Sequence, residues 1–203
     1  MLPFLSIVLA YLLGSIPFGY LLVRWRTGSD IRRAGSGNIG ATNVFRTTSR
    51  AIGVATLVLD ALKAFLAVWI AARLTGGNEL VTNLAALAAL VGHAFPVFLN
   101  FKGGKAVASF LGAYLYLAPI PVAAVAVVFF ATVWRTRFIS LGSLMGAITF
   151  PLAVWIIQRP QHWPLIVCSI LSCALVIWRH QGNIVRLRSG QEHAFSVRRA
   201  RTS

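Results

Sequence analysis

Acidic residues are scarce in this 203-residue chain, which has only four Asp and Glu against nineteen Lys and Arg. Charged residues of both signs make up 11% of the sequence, whereas a soluble domain carries about 25%. Together with 58% hydrophobic residues, this scarcity excludes an ordinary soluble protein and indicates an all-α integral membrane protein. The polar segments between the apolar runs are short, so we expect residues 1–203 to form one transmembrane domain.

Cysteine is nearly absent as well, and Cys168 and Cys173 lie five residues apart in one apolar run. At that spacing two helical side chains point to different faces, so no disulfide is expected between them. The sequence shows no metal-ligand cluster, and it predicts no metal and no other cofactor. No basic segment precedes the first apolar run, as it would in a cleavable signal peptide, so we expect that run to be retained.

Seven apolar runs are candidates for membrane-spanning helices, which need about 20 residues each. Four runs are long enough: residues 2–23, 51–72, 80–101 and 138–157. Two are slightly short, residues 119–134 and 163–178, and one, residues 106–117, is too short to cross straight. We therefore expect about seven transmembrane helices, one or two of them short or partial. If the shortest run and the next one formed a re-entrant pair, the number of spans would fall to five.

The basic residues fall almost entirely on one side of these spans. Sixteen of the nineteen Lys and Arg lie on the side of the C-terminus, Arg73 and Arg159 lie on the other, and Lys63 is within a span. The positive-inside rule then places the N-terminus outside and the C-terminus in the cytoplasm, for seven spans or for five. In a membrane protein such a basic side needs no nucleic acid partner, and an anionic substrate would also explain it.

Three polar clusters lie on the basic side, and the first contains Gly35-x-Gly37-x-x-Gly40. A dinucleotide-binding fold needs a strand before these glycines, whereas an apolar run of helical length precedes them here, so the motif does not predict NAD binding. Glycine-rich backbone can still converge its N–H groups on a phosphate, and Arg46 could bind one bidentately. A flexible connecting loop is the alternative interpretation.

The second cluster runs from His93 to the segment Lys102-Gly-Gly-Lys105, which has the form of another anion-binding nest with two cations. It is not a Walker A loop, because Ala106 stands where that motif has Ser or Thr. His93 does not belong to an HxxxxD acyltransferase motif either, because the fourth residue after it is Val97. Pro96 should end or kink the helix here and free backbone groups.

The third cluster contains His180 and Asn183, whose spacing of three would place them on one face of a continued helix. Basic residues further along the chain have the simpler role of binding anionic membrane lipids: Arg198, Arg199 and Arg201.

Asp60 and Lys63 form a charged pair inside a span, which is costly in a membrane and indicates a functional site or a structural network.

The chain resembles the bacterial acyl-phosphate:glycerol-3-phosphate acyltransferase family, integral membrane enzymes of phospholipid synthesis. The resemblance covers nearly the whole chain and rests on three motifs: Gly35-Ser-Gly-Asn-Ile-Gly-Ala-Thr-Asn-Val-Phe-Arg46, Gly92-His-Ala-Phe-Pro-Val-Phe-x-x-Phe-Lys-Gly-Gly-Lys105 and Arg179-His-x-x-Asn-Ile-x-Arg-Leu-x-x-Gly-x-Glu-His193. Two small departures are Ala64, where the family often has Gly, and Ser109, where it often has Thr.

The resemblance implies acyl transfer from acyl phosphate to the 1-hydroxyl of sn-glycerol 3-phosphate, giving lysophosphatidic acid and phosphate without acyl-CoA or a metal. It also implies the bacterial inner membrane and a functional link to the soluble enzyme that makes acyl phosphate. A membrane carrier for an organic phosphate and a lipid-binding scaffold are the alternatives. The general base stays open between a histidine, with His180 preferred because Asn183 could orient it, and a substrate phosphate.

Carried onto matching positions, the resemblance implies catalytic and substrate-binding residues. The catalytic set is His180, Asn183, Lys102, Ser140 and His93. The substrate-binding set is Ser36, Gly37, Asn38, Thr42, Asn43, Arg46, Lys102, Gly103, Gly104 and Lys105.

The charge asymmetry makes the orientation of the chain testable. A reporter protein fused after Ser203 should be active only as a cytoplasmic reporter, because the basic side is retained inside. A fusion ahead of Met1 serves as the opposite control. A C-terminal reporter that is active only outside the cytoplasm would contradict this topology.

Overall fold

The computed structural model describes residues 1–160 and 162–195, which contain helices and no strand. The α-helices of this part of the chain are α1 (Leu2–Ser15), α2 (Phe18–Thr27), α3 (Ala41–Thr47), α4 (Arg50–Leu74), α5 (Glu79–Ala94), α6 (Val107–Leu117), α7 (Pro119–Thr136), α8 (Ile139–Ile157), α9 (Trp163–Arg179) and α10 (Gln181–Arg188). The predicted all-α fold is confirmed. Arg198, Arg199 and Arg201, counted above on the basic side, lie outside the described residues.

Five candidate spans are long and apolar enough to cross a membrane within the described ranges. The first span is formed by α1 together with α2, and the third by α5 together with the turn after it. The other three spans are the single helices α4, α7 and α8. A sixth arises if α9 is taken with α10, which is bent from it by 58°. As predicted, the remaining apolar helix, α6, is short, because its 11 residues extend only about 16 Å. The protein is therefore a multi-pass membrane protein.

The six tryptophans mark the two surfaces of the membrane. All are exposed on the protein surface, and they form two groups at opposite ends of the helices: Trp25, Trp134 and Trp178, then Trp69, Trp155 and Trp163. Tryptophan concentrates at both membrane–water interfaces, because its ring is apolar and its N–H is polar. Arg73 and Arg159 lie over Trp69 and Trp155 at 5.4 and 5.8 Å. We call the opposite end, which carries Trp25, the basic end.

Glycines allow the inner helices to approach one another closely. A Cβ atom on Gly14 of α1 would collide with the backbone of Ala89 in α5, and one on Gly112 of α6 would collide with the backbone of Ala61 in α4. Helices in membranes associate through such small residues, because no hydrophobic effect drives them together there. The packing fixes α4, α5 and α6 beneath the loops of the basic end.

Prolines interrupt two of the helices. The first apolar run, expected as one helix, is divided because α1 ends at Ser15, just before Ile16 and Pro17. The prediction that Pro96 breaks its helix is confirmed, since α5 ends at Ala94. The backbone oxygen of His93 accepts a hydrogen bond from Gly104 N–H at 3.0 Å. The break therefore attaches the second polar cluster to the end of α5.

Candidate active site

The three polar clusters meet around one cleft of about 150 Å³ at the basic end. The residues that line it come from the loop before α3, the loop before α6, and the junction of α9 with α10: Ser36, Asn38, Lys105, Arg179, Gly182, Asn183 and Arg186. Three of these side chains are cationic. The cleft is therefore suited to a small anion, although segments more than a hundred residues apart contribute to it.

Asn43 organises the first cluster into a compact loop. Its side chain is buried, and its Nδ2 donates to the backbone oxygens of Ala34 at 3.0 Å and Asn38 at 2.8 Å. Its Oδ1 accepts from Ser36 N–H at 3.0 Å and from Arg46 Nη2 at 3.2 Å. Because Asn43 uses both of its polar atoms within the loop, it holds Ser36 and Arg46 in position.

Three backbone N–H groups of this loop already have partners, so they are not free to form the predicted anion nest. The N–H groups of Ser36, Gly37 and Gly40 all donate to acceptors inside the loop. Gly35 and Gly37 have φ angles of +57° and +69°, which turn the chain back so that these internal bonds can form. An anion in the cleft would therefore depend mainly on side chains. A role for Gly37 in substrate binding stays a prediction.

Arg179 holds the loop of the second cluster. Its Nε donates to the backbone oxygen of Gly104 at 3.0 Å, and its Nη2 donates to that of Gly103 at 2.8 Å. The guanidinium also lies 5.2 Å from the ring centre of Phe95. The loop places Lys105 in the lining of the cleft, whereas Lys102 is exposed and does not line it.

Lys105 has an altered acidity because of where the loop places it. Burial is the main reason that the pKa of Lys105 falls from 10.5 to about 8. The neighbouring Arg186, Arg46 and Arg179 lower it further, while Glu192 opposes them. Lys105 therefore carries its charge at neutral pH and loses it in mildly alkaline solution.

The third cluster begins at a bend. The chain turns by 58° between α9 and α10, so His180 and Asn183 do not share a continuous helix, contrary to the prediction. His180 is buried, and its Nδ1 lies 2.7 Å from the backbone oxygen of Val176. That oxygen can only accept, so Nδ1 carries the hydrogen and Nε2 is the free nitrogen of a neutral ring. Val176, rather than Asn183, orients His180.

The bend also directs the beginning of α10 towards the cleft. Gly182 and Asn183, in the first turn of α10, are part of the lining. The first N–H groups of a helix lack partners within it, and they form the positive end of its dipole. The beginning of α10 therefore adds to the attraction of the cleft for an anion.

Glu192 is the main residue of the site that the predicted catalytic and substrate-binding sets leave out, although its place beside the basic loops suggested that it orients their arginines. Its Oε1 accepts from Ser140 Oγ at 2.8 Å and from Asn183 Nδ2 at 2.6 Å, and its Oε2 accepts from Arg186 Nε at 2.8 Å. Burial alone would raise the pKa of Glu192, but these three donors outweigh it and hold the pKa below the ordinary 4.5. Its position as the one acid of the third motif was the available signal.

Several predicted residues lie away from the lining. Ser140 is connected to the cleft only through Glu192, Thr42 is exposed, and His93 is buried behind the loop of the second cluster. Their proposed roles stay predictions. Within residues 1–160 and 162–195, no three His, Cys, Asp or Glu side chains are grouped so that they could hold a metal ion.

The fold and the cleft together define an integral membrane protein with a cationic cleft at one end of its helices. A family profile described as glycerol-3-phosphate acyltransferase matches residues 4–190. A glycerol-3-phosphate acyltransferase from Syntrophomonas wolfei is 44% identical over 92% of this chain and 93% of its own length. One from Trichlorobacter lovleyi is 48% identical over 93% of this chain and 95% of its own length. The chain belongs to the glycerol-3-phosphate acyltransferase family.

Two solved structures have the same fold. Both are crystal structures of PlsY, an integral membrane glycerol 3-phosphate acyltransferase, and each covers 96% of this chain. The glycerol 3-phosphate form superposes with a TM-score of 0.89 at 37% identity over 96% of its own length. The lysophosphatidic acid form superposes with a TM-score of 0.86 at 36% identity over 95% of its own length.

The contacts of Glu192 predict an effect on stability. Glu192→Gln should destabilise the purified protein by about 1.5–3 kcal/mol, because three donors lose a charged acceptor. The pKa of Glu192 is lowered in the folded protein, so its contribution is present above pH 4.5 and is lost as the pH falls further. Thermal melting in detergent from about pH 7 to pH 4 measures both effects.

Asp30→Asn is the matched control, because Asp30 contacts Arg32 on the exposed surface away from the cleft. It should leave the melting temperature at neutral pH nearly unchanged. Equal melting of wild type and Glu192→Gln at every pH would show that Glu192 does not hold this junction together.

Proposed function

We propose that this protein transfers an acyl chain from acyl phosphate to the 1-hydroxyl of sn-glycerol 3-phosphate, forming 1-acylglycerol 3-phosphate and inorganic phosphate. The observation that carries the proposal is the cleft, in which cationic and hydrogen-bonding side chains from three separate segments surround a space suited to a small phosphate ester. Drug-sized ligands occupy about 300–1,000 Å³, so a cleft of about 150 Å³ suits a smaller molecule.

The charge of the cleft favours a reaction between two anions. Lys105, Arg179 and Arg186 line it, and Arg46 lies close enough to affect the pKa of Lys105. Glu192 is the one carboxylate that bonds to a lining residue in the described part of the chain. The remaining positive charge would offset the repulsion between two phosphate-bearing substrates and hold them in a reactive geometry.

The crystallised relative agrees with this chemistry. The PlsY structures, 37% and 36% identical to this chain, are described as glycerol 3-phosphate and lysophosphatidic acid forms. Acyl phosphate is the acyl donor that requires the least activation by the protein, because it is a mixed anhydride and phosphate is already a good leaving group. The donor and the product are proposals for this chain.

The transfer would take place in a single displacement. The 1-hydroxyl oxygen attacks the carbonyl carbon, the bond from that carbon to the phosphate oxygen breaks, and phosphate leaves with the bonding electrons. Lys105 would stabilise charge on the leaving phosphate, and Ser36 and Arg46 would bind a substrate phosphate. The hydroxyl proton passes either to a substrate phosphate or to Nε2 of His180, whose Nδ1 is held by Val176.

The membrane arrangement extends the proposal. The cleft opens at the basic end, which by the positive-inside rule is the cytoplasmic side of a bacterial inner membrane. An acyl chain can stay among the membrane lipids while its phosphate enters the cleft. The chain would then act as one transmembrane acyltransferase domain, supplied by a soluble enzyme that makes acyl phosphate.

The choice of acyl donor provides the direct test. Purified protein incubated with palmitoyl phosphate and glycerol 3-phosphate should release 1-palmitoylglycerol 3-phosphate and one phosphate for each turnover. Palmitoyl-CoA, the control donor, should give no product. Turnover with palmitoyl-CoA alone would overturn the donor assignment, whereas glycerol 3-phosphate transport into vesicles without acylation would identify a carrier.

Arg46 tests whether the first cluster binds a substrate phosphate. Arg46→Ala should raise the KM for at least one substrate about ten-fold, on the order of 1.4 kcal/mol for a lost charge-assisted contact. Arg26→Ala removes an exposed arginine from the last turn of α2, outside the first cluster, and should leave both KM values unchanged. Unaltered kinetics in folded Arg46→Ala would exclude this role.

The lowered pKa of Lys105 predicts a pH dependence. Lys105 is charged below about pH 8 and neutral above it, so the KM for a phosphate substrate should rise several-fold as the pH passes from about 7 to 9. Lys105→Arg keeps its charge throughout this range, because arginine has a pKa above about 12. Initial-rate assays should therefore show a nearly flat KM in that variant. The same rise in both proteins would exclude Lys105 as its cause.

A further inference from the structure

A buried charged network lies against the loop of residues 102–105, and its residues are not part of the cleft lining. Asp60 and Lys63 belong to α4 and His93 to α5, and the three side chains are at most 3% exposed. Lys63 Nζ lies 2.7 Å from Asp60 Oδ1. Charges inside a membrane protein are costly unless they are paired, so the partners of this pair indicate what it supports.

Lys63 joins three helices through its ammonium group. In addition to its ion pair with Asp60, its Nζ donates to the backbone oxygen of Ile16 at 2.6 Å and lies 3.2 Å from Nδ1 of His93. An ammonium group can only donate. Nδ1 of His93 is therefore the acceptor, and the hydrogen of a neutral His93 ring is on Nε2. Lys63 thus connects the break after α1 and the end of α5 to α4.

His93 in turn supports the loop. Its backbone oxygen accepts from Gly104 N–H at 3.0 Å. A Cβ atom on Gly104 would collide with Nε2 of the His93 ring, and one on Gly103 would collide with the His93 backbone oxygen and with Pro96. The loop therefore rests directly on His93, and it is held from the other side by Arg179.

We propose that Asp60, Lys63 and His93 form a positioning network that fixes the loop of residues 102–105 and so places Lys105 in the cleft. His93 is then a positioning residue and has no part in proton transfer. The identity of the anion that Lys105 binds rests on the proposed function, whereas the fixing of the loop can be measured without any substrate.

The test combines three variants with two measurements. Lys63→Met removes the ammonium, His93→Ala removes the whole ring, and His93→Asn replaces Nδ1 with an oxygen that can still accept from Lys63. Hydrogen exchange of the peptide containing residues 102–105 is measured without substrate. The KM and kcat for palmitoyl phosphate and glycerol 3-phosphate are then measured for each folded variant. Ser172→Ala is the control, since it removes a buried hydrogen bond with Tyr114, distant from the loop.

In Lys63→Met and His93→Ala, hydrogen exchange of the loop amides should be at least ten-fold faster than in wild type. The KM for a phosphate substrate should rise at least ten-fold. The kcat should fall less than the KM rises. His93→Asn should recover most of the wild-type exchange and KM, with the pH profile of kcat unchanged. Ser172→Ala should match wild type in loop exchange and KM.

Wild-type loop exchange and KM in folded Lys63→Met would overturn the proposal. If that variant does not fold, the two His93 variants decide, and equal defects in His93→Ala and His93→Asn would overturn it. Loss of one limb of the pH profile in His93→Asn, with KM preserved, would assign His93 to proton transfer instead. If wild type shows no acyl transfer, the proposed function fails, while loop exchange still tests the network.

Discussion

All four Asp and Glu side chains of this chain are paired, three of them with Lys or Arg, and the site depends on where those partners are. Asp60 pairs with Lys63 inside the bundle, Asp30 with Arg32 on the surface, and Glu79 with His162 at the end opposite the cleft. Only Glu192 lies beside the cleft, where it bonds Ser140, Asn183 and Arg186. The charges of Lys105 and Arg179 are therefore left for an anion, as binding of two phosphate groups requires.

Interrupted helices bring the polar segments to this end of the bundle. The break at Pro17 frees the backbone oxygen of Ile16, which accepts a hydrogen bond from Lys63. The break before Pro96 frees the backbone oxygen of His93, which accepts a hydrogen bond from Gly104 N–H. The bend at His180 directs the beginning of α10 towards the same cleft. In a membrane, broken helices are tolerated only where other groups satisfy the freed backbone, and at each of these breaks a backbone oxygen has such a partner: Lys63 for Ile16, Gly104 for His93 and the His180 ring for Val176.

The helical architecture was largely predictable from the sequence, because hydropathy over about 20 residues reports directly on membrane insertion. The short α6 and the break at Pro96 were predicted from length and from the missing N–H of proline. The membership of Ser36, Asn38, Lys105 and Asn183 in one cleft agrees with the motifs, although their substrate roles are untested.

Contacts between distant segments could not be predicted in the same way. The glycines of the first cluster suggested free amides, but Gly37 and Gly40 donate to acceptors from Ala34 and Asn38 that depend on the folded loop. The spacing of His180 and Asn183 suggested one helical face, but the chain bends between α9 and α10. Ser140, one of the three partners of Glu192, lies 52 residues away in sequence, so no local pattern reports that contact.

The central claim is that the protein holds both phosphate-bearing substrates at once and passes the acyl group directly between them. Initial rates measured with palmitoyl phosphate and glycerol 3-phosphate varied together test this claim most directly. Direct transfer requires a ternary complex, so double-reciprocal plots should give lines that intersect. Parallel lines would indicate an acyl-enzyme formed before glycerol 3-phosphate binds, and they would contradict this account.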